Sequence, residues 1–274
     1  MRYAEYQPHP HLALNIQCYW VFEARAATGE THDETLVPDG RCELIFHFGE
    51  IYAEVNAVGE LQRQPRAIIA GQIDQPLVLR STGSTGVIGV RFTPWGASQF
   101  VRPSMHEFSA RRVALSDVWG RAAGDLEEQI ALCANDAARV AVLDHALLRR
   151  AAPQVNCADA GVVASARALV RSRGAMRIDS LVKLSGHSER KLQRRFQEVV
   201  GVSPKLFASI LRFHSLFDAL SAEDATPWIV AAVDAGYFDQ AHMIRDFKRF
   251  AGQPPQAFIN SASGLTAALV GAHI

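Results

Sequence analysis

In the stretch SERKLQRRFQEVVG, which begins at Ser188, Arg190, Arg194 and Gln197 recur at helical spacing opposite Leu192, Phe196 and Val199. At about 100° per residue the three apolar side chains fall within one narrow arc, and the polar three take the other side, with Gln193 at its edge. Arg and Gln have the forked geometry that matches guanine and adenine edges, and Arg and Lys serve phosphates. A second stretch, AGYFDQAHMIRDFKRFAG from Ala235, has the same layout: Met243, Phe247 and Phe250 on one arc, and Ala241, Arg245, Lys248 and Arg249 on the other. One charged helix face alone reads most simply as a solvated surface. The same face twice in one register does not.

The register extends beyond the helices. Gly186 matches Gly236 at an offset of 50, and Ser188/Asp239, Leu192/Met243, Arg194/Arg245, Phe196/Phe247, Gly201/Gly252, Pro204/Pro255 and Phe207/Phe258 all match at 51, so one residue is inserted just after the Gly. Each copy runs from a short apolar helix (178–185 and 228–235) through that Gly to a capping residue and a second helix. Gly suits the left-handed conformation that ends the first helix, and Ser188 and Asp239 can cap the second. Two short helices meeting at such a turn describe a helix-turn-helix, whose second helix enters the DNA major groove.

The elements that must carry these helices follow from period and charge. CELIFHFG (42–49) alternates Cys42, Leu44, Phe46 and Phe48 against Glu43, Ile45 and His47, a strand with one wholly apolar face. Residues 75–96 hold two β-branched runs around a Gly/Ser/Thr turn, which predicts a hairpin. Leu126 and Ile130 predict a short helix. Val140, Leu143 and Leu147 predict a longer one capped near Asn135–Asp136. Residues 151–160 (AAPQVNCADA) read as a linker. Residues 160–260 carry 14 Lys+Arg against 9 Asp+Glu, a balance of +5, whereas residues 1–159 carry 14 Arg and no Lys against 19 acids, a balance of −5. The expected fold is α+β: a β-rich domain (1–115), a helical connector (116–152), an all-α tandem helix-turn-helix domain (160–260) and a tail (261–274).

Composition excludes other classes. At 49% hydrophobic and 20% charged the chain reads as globular. It has no run of about 18 apolar residues to span a membrane, and MRYAEYQPHPHL has no basic segment before an apolar core, so a signal peptide is not expected. Cys18, Cys42, Cys133 and Cys157 are scattered without a CxxC pair, which fits reduced thiols in a cytoplasm.

The C-terminal hundred residues, about 161–259, resemble the DNA-binding domain of AraC/XylS-family bacterial transcription regulators. The strongest stretch is DAGYFDQAHMIRDFKRFAGQPPQAF, near that family's signature over its second helix-turn-helix. The resemblance implies double-stranded DNA as partner. It also implies a bridging helix, here Pro204 to Leu220, that sets two recognition helices in successive major grooves about one turn, or about 34 Å, apart. Carried over by position, Arg190, Gln193 and Arg194 would probe one groove, and Gln240, Ala241, His242 and Arg245 the next. The outer stripes add Gln197 and Lys248. Polar residues are frequent in the family where this chain has Ala241 and His242. VPDGRCELIF and GVRFTPWGASQF also look like a sensor domain that accompanies this half in one branch of the family.

The family implies a small-molecule effector in the β-rich domain, dimerisation through adjacent helices, and RNA polymerase as a partner for an activator. Trp20, Glu43, Phe46, His47, Arg91 and Trp95 are the candidates to line an effector pocket. Trp20 and Phe46 have simple core burial as the competing reading. Glu43 and His47 share a strand face that could instead meet solvent, and Arg91 could serve an acidic effector or pair with Glu43. The other function kept open is a DNA-binding protein whose N-terminal half only dimerises. No compact ligand spacing supports a metal site, and no cofactor is expected. An Ada-type zinc-cysteine centre does not fit cysteine separations of 24, 91 and 24 residues, and neither GxSxG nor GxxxxGK[ST] occurs, so an enzyme is not expected.

Overall fold

The computed structural model describes residues 1–25, 31–56, 58–81, 83–151, 160–220, 228–255 and 257–258. The linker expected at 151–160 lies outside them except at its two ends, as does the whole tail at 261–274. The N-terminal region builds ten strands: β1 (Arg2–Tyr6), β2 (Ile16–Ala24), β3 (Asp33–Leu36), β4 (Glu43–His47), β5 (Ala53–Val55), β6 (Leu61–Arg63), β7 (Ala67–Ala70), β8 (Leu77–Arg80), β9 (Thr85–Phe92) and β10 (Arg112–Ala114). They form a six-stranded sheet in the order β1-β2-β9-β4-β7-β10 and a four-stranded sheet in the order β3-β8-β5-β6.

The pleat of β4 sorts its residues as the alternation predicts. Leu44 and Phe46 point into the main core with Tyr19, Val21, Ile69 and Val90. Helices α1 (Leu115–Trp119), α2 (Arg121–Leu132) and α3 (Asp136–Arg150) complete that core through Leu126, Ile130, Leu143 and Leu147. Asn135 caps α3 by accepting from the Ala138 amide at 2.9 Å. Leu143 and Leu147 are wholly buried here, each contributing about 1.5–3 kcal/mol of transfer free energy. The stripe of Leu143 and Leu147 therefore packs within its own domain.

The predicted hairpin at 75–96 is not formed. β8 pairs with β3 and β5 in one sheet, and β9 pairs with β2 and β4 in the other. Every residue of β9 is buried. Such a strand needs neighbours on both edges and cover on both faces, which a hairpin partner alone cannot supply.

The second half is helical: α4 (Ala160–Arg171), α5 (Ile178–Ser185), α6 (Glu189–Val200), α7 (Pro204–Leu220), α8 (Trp228–Asp234) and α9 (Gln240–Ala251). The α5–α6 and α8–α9 pairs are the two sequence copies. α7 lies between them and enters both cores: Phe207 meets Phe196 of α6 at 5.7 Å, and Phe213 meets Phe247 and Phe250 of α9 at 5.1 and 5.2 Å between ring centroids.

Candidate nucleic-acid interface and neighbouring cavity

Each copy closes its turn as the sequence requires. Gly186 (φ 67°) and Gly236 (φ 78°) take the left-handed conformation that is costly for other residues. Ser188 then accepts from the Lys191 amide at 3.4 Å, and Asp239 from the His242 amide at 2.6 Å, so both second helices start capped. Their inner stripes are buried: Leu192, Phe196 and Val199 in α6, and Met243, Phe247 and Phe250 in α9.

The outer stripes lie largely in solvent. Arg190, Gln193 and Arg194 are exposed on α6 and Gln197 is half-buried. Gln240, Ala241, Arg245 and Lys248 are exposed on α9. Arg194 sits 3.8 Å from Glu198, an exposed pair of the kind that contributes about 0–1 kcal/mol and leaves the guanidinium available. His242 is half-buried, its ring 5.1 Å from that of Tyr237 and its Nε2 3.7 Å from Asp246.

The β-rich region holds the opposite ends of both second helices. At the C-terminus of α6, Gln72 Nε2 donates to the Val200 carbonyl at 2.7 Å and Ser109 Oγ to the Gly201 carbonyl at 2.5 Å, with His106 Nδ1 3.2 Å from the same oxygen. Carbonyls at a helix end have no partner within the helix, so these side chains supply a C-cap from outside. At the end of α9, Arg249 pairs with Asp74 at 3.6 Å.

A cavity of about 100 Å³ lies on the other face of β4, lined by Trp20, Leu36, Ile45, Leu77, Leu79 and Val87 among its apolar walls. Its polar residues are Asp39, Arg41, Glu43, His47, Gln64, Arg112 and His214. His214 comes from α7, so the helix that joins the two motifs forms part of the wall. Gly40 brings the helix this close. It has φ 77°, and a Cβ there would lie 2.8 Å from Phe207 Cε2 of α7.

Of the six pocket candidates, Trp20, Glu43 and His47 line this cavity. Arg91 lies behind it, 1% exposed, with Nε 2.9 Å from Glu43 Oε1. Trp20 Nε1 donates to the same oxygen at 3.0 Å. Arg91 is thus the partner of Glu43, not a free cation for an effector. Phe46 is core, because the pleat turns it to the opposite face. Trp95 faces a second cleft with Val170 of α4 and Leu211 of α7. Its Nε1 donates to the Leu14 carbonyl at 3.1 Å and Arg167 stands 5.0 Å over its ring. Sequence reasoning missed Asp39, Arg41, Gln64, Arg112 and His214. VPDGR marks a turn, but nothing in it reveals that α7 packs on that turn. His214 sits in the mostly apolar run FASILRFHSLF, which does not show what the ring faces.

Burial drives the histidines down: His47 and His214 both fall to about 4. The unfolded chain then takes up protons below about pH 6.5 while the folded chain does not, so stability is lost as pH falls from about 6.5 to about 4. For His47 the expected loss between pH 7 and pH 4.5 is about 2 kcal/mol. Urea melts of the wild type and of His47→Leu at the two pH values measure it as the difference between their pH-dependent losses, the variant losing less.

Residues 4–114 match the model of a family described as "Domain of unknown function (DUF6597)", and residues 181–261 match one described as "Helix-turn-helix domain". Among solved structures, ToxT from Vibrio cholerae is similar at 10% identity and a TM-score of 0.48, over 90% of this chain and 99% of that one. ToxT bound to (E)-4-(8-methylnaphthalen-1-yl)but-3-enoic acid is similar at 9% identity and 0.49, over 88% and 98%. The C-terminal domain of AraT, a response regulator from Geobacillus stearothermophilus, is similar at 17% identity and 0.35, over 40% and 93%. Likeness at this level does not carry a ligand from one chain to another. No curated protein matches the chain in sequence. Among the described residues no helix is long and apolar enough to cross a membrane, and no group of three or more His, Cys, Asp or Glu is placed to hold a metal ion. With its paired glycine turns, capped second helices and matched model over residues 181–261, the chain carries an AraC/XylS-type helix-turn-helix domain behind a β-rich N-terminal region, the build of a DNA-binding transcription regulator.

Proposed function

We propose that α6 and α9 read two successive major grooves of one duplex, and that the cavity beside α7 takes a small effector whose binding changes DNA affinity. The observation that carries this reading is the position of α7. Its Phe207 and Phe213 lock into the two recognition cores, and its His214 faces the cavity. A ligand there touches the element that fixes the spacing of the two helices. An effector acts only through a difference in affinity between two arrangements, and α7 is placed to sense one.

In this reading Arg190, Gln193 and Arg194 meet one groove, and Gln240, Ala241 and Arg245 the next, with Gln197 and Lys248 towards the backbone. His242, held against Tyr237, supports its helix more than it reaches for a base. Arg194→Ala and Arg245→Ala should each weaken specific binding by about 1–3 kcal/mol, a loss of roughly 5- to 150-fold. Fluorescence anisotropy on a selected duplex gives the affinities, and thermal melts check that folding is unchanged. Wild-type affinity in both variants would remove the stripes from the interface.

A further inference from the structure

Resting on the reading of the cavity as an effector site, we infer its ligand class: a small, uncharged, largely apolar molecule carrying an O–H or N–H donor, the chemistry of a phenol. The ionisable groups of the wall come balanced. Glu43 is held by Arg91 and by the Trp20 indole N–H. Arg112 Nε meets Glu54 Oε1 at 2.7 Å, a second contact joins the same two groups, and Gln64 Nε2 donates to that carboxylate at 2.9 Å. Asp39 and Arg41 share one turn, where the Asp39 charge acts favourably on the Arg41 guanidinium and the Arg41 backbone amide donates to Asp39 Oδ1 at 3.0 Å. Both histidines are neutral near pH 7. A carboxylate entering here would have to break a buried pair or shed its water without compensation, which is costly. A neutral molecule does neither.

The walls decide the rest. Leu36, Ile45, Leu77, Leu79 and Val87 offer nothing to a sugar's ring of hydroxyls, and each hydroxyl left without a partner weakens binding. An apolar cavity of about 150 Å³ in another protein holds benzene, so one ring is the right scale. The hydrogen-bonding groups of the wall also favour a donor. His47 Nδ1 lies 3.1 Å from the Arg66 carbonyl, which can only accept, so Nδ1 carries the proton and Nε2 of the neutral ring is an acceptor. Asp39 and Glu43 are acceptors too.

The test is isothermal titration of the full chain at pH 7.5 with p-cresol, its carboxylate analogue p-toluate, toluene and glucose. Saturable 1:1 binding of p-cresol is expected, at least tenfold tighter than p-toluate and with no glucose binding. Ile45→Phe, which fills the cavity, should weaken p-cresol at least tenfold. His47→Leu should reduce the preference for p-cresol over toluene at least fivefold. Absence of saturable p-cresol binding, or tighter binding of p-toluate, overturns the assignment without recourse to any variant. Failure of the effector reading looks different: p-cresol binds as described while affinity for a selected duplex stays the same with and without it.

Discussion

Phe247→Ala is expected to lower stability by about 3–5 kcal/mol, the cost of a large cavity in a well-packed site. The ring is wholly buried and touches Phe213, Phe217 and Phe258 at centroid distances of 5.1, 5.9 and 5.8 Å. These neighbours come from α7 and from beyond α9, so the hole opens where the second motif meets its bridge. DNA binding should fall with the fraction folded, and cooling should restore part of it. Arg245→Ala, two residues earlier on the same helix and exposed, should leave the melt within about 0.5 kcal/mol yet still lose affinity. If Phe247→Ala melted like the wild type, the inward arc of α9 would be wrongly assigned.

Arg91→Met should cost a similar amount, about 3–5 kcal/mol, because it strands a buried carboxylate. Burial already pushes the Glu43 carboxyl up, and Arg91 is the charge that holds against it. Without Arg91 the carboxyl rises further. A folded-state value above the unfolded one means the folded chain holds the extra proton, so stability is lost as pH rises through that value. The variant should therefore be relatively better off near pH 5 than near pH 8, opposite to the trend His47 and His214 impose on the wild type. Glu43→Gln added to Arg91→Met should recover much of the loss, since no unpaired charge is left. Equal loss at both pH values would mean that Glu43 is paired elsewhere.

The helical half was legible because it is written twice. Any helix with Leu192 and Phe196 on one arc has a solvated far side, but the second copy aligns Arg245 with Arg194 and Phe247 with Phe196, and the structure buries and exposes both sets alike. Alternation along 42–49 placed Glu43 and His47 on one face, and that face proved to be the cavity wall. Local pattern failed where neighbours distant in sequence decide. Thr85–Phe92 and Leu77–Arg80 look like the arms of a hairpin, yet burial along all of β9 draws it between β2 and β4. Trp95 has the aromatic character of a pocket residue, yet it fills the cleft against α4 and α7. His214 gave no signal because its partners, the turn at Asp39–Arg41 and the cavity, lie more than a hundred residues away in sequence.

The central claim is that two recognition helices, spaced by α7, read one duplex together. Selecting the full chain against a random duplex library near physiological salt tests this most directly. The account predicts an enriched site with two information-rich clusters about 10 base pairs apart, and loss of one cluster each in Arg194→Ala and Arg245→Ala. A single cluster that survives Arg245→Ala, or no enrichment from either the full chain or residues 160–274 alone, would contradict it.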